Sequence, residues 1–255
     1  AHEARLGRIL FTALNQLKGT ALKAAQLLSL ELGLLPDGLR HALAQAHYQA
    51  TPLNRALVIK LLRQEFGQDP HDLFQSFEPQ AFAAASLGQV HVATLHSGEA
   101  VAVKLQYPGM AASIHRDLGL LRGLLKTVLT GATALPQAAV MERVLSDVER
   151  TLIAELDYVQ EAQNLRWFGQ HLRLAGLVVP QPVEALSSAR VLSMQHLNGV
   201  HLSEWLWNSP TQTERDHYGQ LMFDSFMYSV FALRHLQADP HPGNYLFMPQ
   251  GRLGL

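Results

Sequence analysis

The residues best suited to chemistry are a lysine, three acids and an Asp–Asn pair, set in that order along the chain. Lys104 closes the run VAVK and follows the small-residue stretch AAASLGQVH, from Ala83 to His91. Small side chains leave backbone N–H groups open, so Ala83, Ala84, Ala85, Ser86, Leu87, Gly88, Gln89 and Val90 could line a phosphate closely. The same residues also suit a strand crossing a helix through small side chains, and by itself the stretch does not decide between the two. A lysine on an apolar strand needs an acid partner, because an unpaired buried ammonium is costly. The run ELDYVQEAQN supplies Glu155, Asp157 and Glu161. Asp157 and Glu161 share a helix face, whereas Glu155 and Asp157 lie about 200° apart on a regular helix. Those two reach one site only if a helix begins between them, and a solvated acidic face is the alternative. In ADPHPGN, Asp239 and Asn244 have the spacing D-x-x-x-x-N. An aspartate so placed could orient or deprotonate an attacking hydroxyl, and the asparagine could bind Mg²⁺. A metal cluster of His235, Asp239 and His241 competes, but no further ligand is near in sequence and the chain has 13 histidines throughout.

The elements around these residues follow from periodicity. Leu6, Ile9, Leu10, Ala13, Leu14 and Leu17 predict an amphipathic opening helix, with further helices over 22–32 and from Asp37 towards Gln49. A fourth starts at Thr51-Pro52, carries Leu57, Leu61, Leu62 and Phe66 on one face, and stops at Gly67. After Pro79 the pattern becomes alternating. Val90 and Val92, then Val101, Val103 and Leu105, flank His96-Ser97-Gly98-Glu99 and predict two strands joined by a turn. Helical spacing resumes from Pro108 to Leu129, then over about 138–151 and 154–172. Short β-like runs surround Val183 and residues 191–196. A long helix over 213–233, the Asp239–Asn244 loop and a strand over 245–248 complete the chain.

Composition narrows the function classes. The 255 residues are 48% hydrophobic and only 16% charged, which suits a globular protein able to bury a core. Twenty basic residues oppose 21 acidic ones without a basic cluster, which argues against a nucleic-acid partner. Cysteine is absent, excluding disulfides and thiolate metal sites. No run approaches the ~18 consecutive apolar residues of a spanning helix. The face Leu6, Ile9, Leu10, Leu14, Leu17 suits packing within the protein, with a membrane surface as the alternative.

Together the motifs resemble the UbiB family of atypical protein-kinase-like proteins, which is tied to coenzyme Q (ubiquinone) biosynthesis. AAASLGQVH resembles its alanine-rich loop, VAVKLQYPG its lysine strand, ELDYVQEAQN its E-x-D helix and ADPHPGN its catalytic loop. KGTALKAAQLLS resembles its K-x-G-Q segment, with Ala25 where the family has glycine. The resemblance implies an α+β, protein-kinase-like fold in three parts. These are an N-terminal helical extension over 1–75, a small β-containing N-lobe with inserted helices over 76–196, and a truncated helical C-lobe over 197–255. It further implies that Lys104 pairs with Glu161 and meets the phosphates of ATP or ADP. Asp239 would be the catalytic aspartate and Asn244 a Mg²⁺ ligand, while Met194, Gln195, His196 and Leu197 in MQHLNG receive the adenine. Lys23 and Gln26 would lie near Glu155 and Asp157 in a regulatory contact, with one of those acids capping the helix.

The function implied is an ATP-binding atypical kinase or ATPase supporting ubiquinone biosynthesis. A pseudokinase-like regulator that binds nucleotide or lipid and acts through partners is the alternative. Quinone-biosynthesis proteins and a lipid or membrane surface are the implied partners. The implied location is cytoplasmic, membrane-associated or organellar, and not secreted. The sequence stops at GRLGL, where the family would enter the strand before its D-F-G, so a piece of a longer protein is expected, binding nucleotide poorly alone.

Overall fold

The fold is that of a computed structural model, which describes residue 24 and residues 52–84, 87–129, 138–235 and 242–255. The expected helices before Thr51 lie outside these residues. Helix α1, Arg55–Phe66, opens where the Asn54 side chain accepts a hydrogen bond from the Leu57 N–H at 3.0 Å. The helix therefore starts at an asparagine cap, three residues later than the expected Thr51-Pro52 start, and asparagine is among the strongest cap residues. It ends as the sequence indicates: Gly67 adopts φ 71°, and its N–H reaches the Arg63 carbonyl. Val58, Leu61 and Leu62 form its buried stripe. A short helix α2, Pro70–Leu73, follows.

Strands β1 (Ser76–Phe77), β2 (Ala83–Ala84), β3 (Gly88–Thr94) and β4 (Ala100–Gln106) come next. A later strand, β6 (Val191–Gln195), lies at the other edge, giving the order β1-β3-β4-β6 with β2 also paired to β3. The β3–β4 turn is closed by Leu95 N–H to Glu99 O and Gly98 N–H to Leu95 O, both 2.8 Å. Gly98 sits at φ 90°, a conformation that a side chain would strain. Two differences from the sequence expectation concern the alanine run. Ala83 and Ala84 are not loop but strand, in antiparallel register with Val90 and Gln89, and β3 begins at Gly88. Alanine hinders neither backbone ladder nor turn, so the pairing decides.

The described residues fall into two compact units. One holds those up to Asp69, Glu78–His91 and Lys104–Tyr158; the other holds Pro70–Phe77, Val92–Val103 and Val159–Leu255. In the first, α3 (Met110–Leu129) and α4 (Ala138–Glu155) run antiparallel, since His115 pairs with Glu149 and Arg122 with Glu142. Ile114, Leu118 and Leu121 are buried on one helix and Leu145, Val148 and Leu152 on the other, at the spacing of single helical stripes. Helix α4 continues to Glu155, past the expected end, and α5 (Tyr158–His171) begins after a break at Leu156 and Asp157. A distant residue makes that break: Gln106 Nε2 donates to the Leu156 carbonyl at 2.8 Å, taking an acceptor that a continuous helix would use itself.

The second unit carries β5 (Leu177–Val178), parallel to the terminal β8 (Arg252–Gly254), which pairs antiparallel with β7 (Leu246–Met248). Helices α6 (Leu202–Trp207) and α7 (Gln212–Met227) bring Trp205 and Tyr218 against Phe247, with Trp205 stacked on the Phe247 ring at 4.5 Å. A reciprocal capping box of Thr211 and Glu214 starts α7 and holds the Glu214 carboxyl below its ordinary range. The expected single helix to Leu233 instead widens into a π turn, Tyr228–Leu233, ending at Arg234 with φ 56°. The expected β-run at Val183 is a cap to a 3₁₀ turn, while Pro182 bridges Met194. No described helix is long and apolar enough to cross a membrane.

Candidate functional site

In β4 the side chains of Val101, Ala102, Val103, Leu105 and Gln106 are buried, and Lys104 alone in that stretch is half-buried. The strand is otherwise buried on both faces, so its lysine is only partly open to solvent and has an aromatic ring beside it. Lys104 Nζ lies 4.8 Å from the centroid of Tyr158, itself 1% exposed. An ammonium over a tyrosine face gains about 0.5–2 kcal/mol, with the larger values for desolvated sites.

The end of the small-residue stretch is pressed onto the same place. Leu87 O accepts from the Tyr107 N–H at 3.1 Å. A methyl group at Gly88 would sit 2.5 Å from the Leu105 carbonyl oxygen and 2.9 Å from the Tyr158 hydroxyl. Gly88 is thus required by close approach, since its first obstacle is backbone and cannot swing aside.

Gln89 and His91, both fully buried, complete a closed hydrogen-bond chain. The Leu53 N–H can only donate, so it fixes Gln89 Oε1 as its acceptor at 2.6 Å. Gln89 Nε2 therefore donates to His91 Nε2 at 2.7 Å, which leaves His91 Nδ1 to donate to the Glu78 carbonyl at 2.9 Å. Every role is forced, and the imidazole is neutral. Burial lowers its pKa, outweighing the Glu78 carbonyl and carboxylate, which favour the charged form. These bonds commit the Gln89 side chain inward, and the residue as a whole is buried.

The helix break separates the acids. Glu155 ends α4, Asp157 stands at the residue before α5, and Glu161 lies in the first turn of α5, where the helix dipole favours a carboxylate. Helix α5 thus begins after both Glu155 and Asp157 rather than between them. Glu155 and Asp157 belong to the first compact unit with Lys104, and Glu161 belongs to the second. In that second unit Met194 ends the inner part of β6 half-buried and Gln195 is exposed. The His196 N–H donates to Ala100 O at 3.1 Å, and Leu197 is buried. Asn244 is exposed in a 3₁₀ turn, Pro242–Asn244. His235, from the competing metal cluster, instead packs its ring 4.3 Å from Trp167 and bonds the Leu233 carbonyl. Lys23, Gln26, Ala85, Ser86, Asp239 and His241 lie outside the described residues.

Sequence reasoning passed over Tyr158 and Gln106. Tyr158 stands inside ELDYVQEAQN, and its one local signal is an aromatic residue directly after Asp157. Nothing local marks Gln106.

The model of the ABC1 atypical kinase-like domain matches residues 45–255. Among curated relatives, the mitochondrial atypical kinase COQ8B of Rattus norvegicus is 34% identical over 250 residues, covering 96% of this chain and 46% of its own. AarF domain-containing protein kinase 1 of Mus musculus is 32% identical, covering 95% of this chain and 46% of its own. The mitochondrial atypical kinase coq-8 of Caenorhabditis elegans is 30% identical, covering 99% and 33%. The chain thus spans less than half the length of these relatives. A solved structure, the complex of Rv3197 with erythromycin from Mycobacterium tuberculosis, superposes with a TM-score of 0.65 at 30% identity. It covers 97% of this chain and 62% of that one.

Proposed function

The chain belongs to the ABC1 atypical kinase-like family, the UbiB/AarF group with COQ8 homologues, and on that premise we propose that it is the nucleotide-binding part of an atypical kinase or ATPase supporting ubiquinone biosynthesis. The observation that carries this reading is the joint position of Lys104, Tyr158 and Gly88. An ammonium stands over a buried ring whose hydroxyl is closely approached by a backbone stretch with no side chain at that point. That arrangement fits phosphate oxygens, which want one compact cation and open N–H groups.

ATP or ADP would bring the reactive phosphates, and Mg²⁺ would supply charge neutralisation for them. The chain's own residues have separate tasks. Lys104 holds the α- and β-phosphates, and Glu161 keeps the ammonium oriented. The main chain from Ala83 to Val90 covers the phosphates, and Met194, Gln195, His196 and Leu197 receive the adenine. Asp239 orients or deprotonates the acceptor hydroxyl. Asn244 offers an amide oxygen, a hard donor of the kind Mg²⁺ accepts. Lys23 and Gln26 approach Glu155 and Asp157 and regulate access. The three-part division at residues 75 and 196 belongs to the same proposal, as do quinone-biosynthesis partners and a lipid surface.

In the full-length protein, Lys104→Met should weaken MgADP binding at least tenfold, roughly 1.4 kcal/mol or more, and Asp239→Asn should abolish ATP turnover while leaving binding in place. ATP turnover unaffected by Asp239→Asn would overturn the catalytic assignment. Binding without turnover, in the presence of quinone precursors and membranes, would favour the regulator. The strand pairing of Ala83 and Ala84 gives that second reading its structural motive, because it shortens the free part of the loop.

A further inference from the structure

We infer that Tyr158 is a positioning residue for Lys104, and that it sets the lysine and the end of the alanine-rich stretch against each other; the inference rests on the proposed nucleotide site. Tyr158 opens α5, one residue after Asp157, and is among the largest fully buried side chains of the chain. It makes two different contacts at once. Its ring face lies under Lys104 Nζ at 4.8 Å, and its hydroxyl lies where a Gly88 side chain would begin, 2.9 Å from an ideal Cβ.

Neither contact is generic packing. An apolar core residue would bury its ring against apolar atoms, whereas this one turns a face with negative quadrupole to a cation. A lysine on a four-carbon stem has many rotamers, and holding it over a ring before the nucleotide arrives removes the cost of ordering it afterwards. The Gly88 contact brings the backbone of the stretch against the same tyrosine, at its hydroxyl end. The Gln106 bond that breaks the helix at Leu156 secures the arrangement, because it frees Tyr158 to start a new helix with its ring turned inward. The E-x-D segment and the lysine strand thus meet through an aromatic ring that the motif names do not mention.

The test uses the full-length protein with Tyr158→Phe and Tyr158→Leu, each with Lys104 present and in a Lys104→Met background. Tyr158→Met replaces the leucine variant should that one fail to fold. With ¹³C-dimethylated lysines, the Lys104 methyl signal should be shifted upfield by the ring in wild type and in Tyr158→Phe, and return to the ordinary position in Tyr158→Leu. MgADP affinity should fall about fivefold in Tyr158→Leu, stay within about twofold in Tyr158→Phe, and be insensitive to the leucine change once Lys104 is methionine. An ordinary lysine shift in wild type overturns the inference. So does an equal loss of affinity from Tyr158→Leu in both backgrounds, which marks a purely structural residue. If wild type shows the upfield signal but binds no MgADP, the nucleotide reading falls while the hold of Tyr158 on Lys104 stands.

Discussion

Beneath β3 the molecule buries an amide and an imidazole; beneath β7 it buries rings. In the first place Leu53, Gln89, His91 and Glu78 form one chain in which each donor and acceptor has a single permitted role. In the second, Trp205, Tyr218 and Phe247 pack with ring centroids 4.5 to 5.1 Å apart, stacked, tilted and edge-on, and the Tyr218 hydroxyl donates to the Met248 carbonyl at 2.8 Å. Ring contacts are individually weak and adjustable, so the β7 cluster tolerates small change. The β3 chain does not, because removing any member leaves another buried and unsatisfied. The strand that leads out of the alanine-rich stretch is therefore fixed by polar chemistry, and the strand near residue 247 by apolar packing.

The contrast is broken most strongly at His91. His91→Leu leaves the Gln89 amide and the Glu78 carbonyl without their partner, and should cost about 3 kcal/mol in urea unfolding. A cost near zero would show that the chain is incidental. Tyr218→Phe removes one bond from a cluster that otherwise persists, and should cost about 1 kcal/mol by the same measurement. A loss as large as that of His91→Leu would erase the difference between the two regions. The smallest effect is in pH. His91 has its pKa lowered in the folded protein, so the unfolded chain takes up the proton first. Its contribution is complete above the ordinary histidine value of 6.5 and is lost as pH falls through the lowered folded value. Urea titrations from neutral pH into that window should show a steeper decline in wild type than in His91→Leu. Equal slopes would place the titration elsewhere.

How much of this could be read from the sequence depended on distance along the chain. The β3–β4 turn and the stop of α1 were legible, because Gly98 and Gly67 supply backbone conformations that neighbouring residues cannot. The break between α4 and α5 was not placed correctly, since its cause is the side chain of Gln106 on another element. β5 is two residues long and exists by pairing with the distant β8, which no local window reveals. The site behaved alike. Lys104 and the acids announced themselves by type and order. Tyr158 did not, because a tyrosine becomes a cation's platform only when a distant strand brings the cation to it.

The central claim is that Lys104, over Tyr158 and beside Gly88, holds nucleotide phosphates. Its most direct test is a calorimetric titration of the full-length protein with MgADP, comparing wild type with Lys104→Met. The account predicts a Kd at least tenfold weaker in the variant, with thermal stability of the unliganded protein little changed. Equal affinity in the two proteins would contradict it.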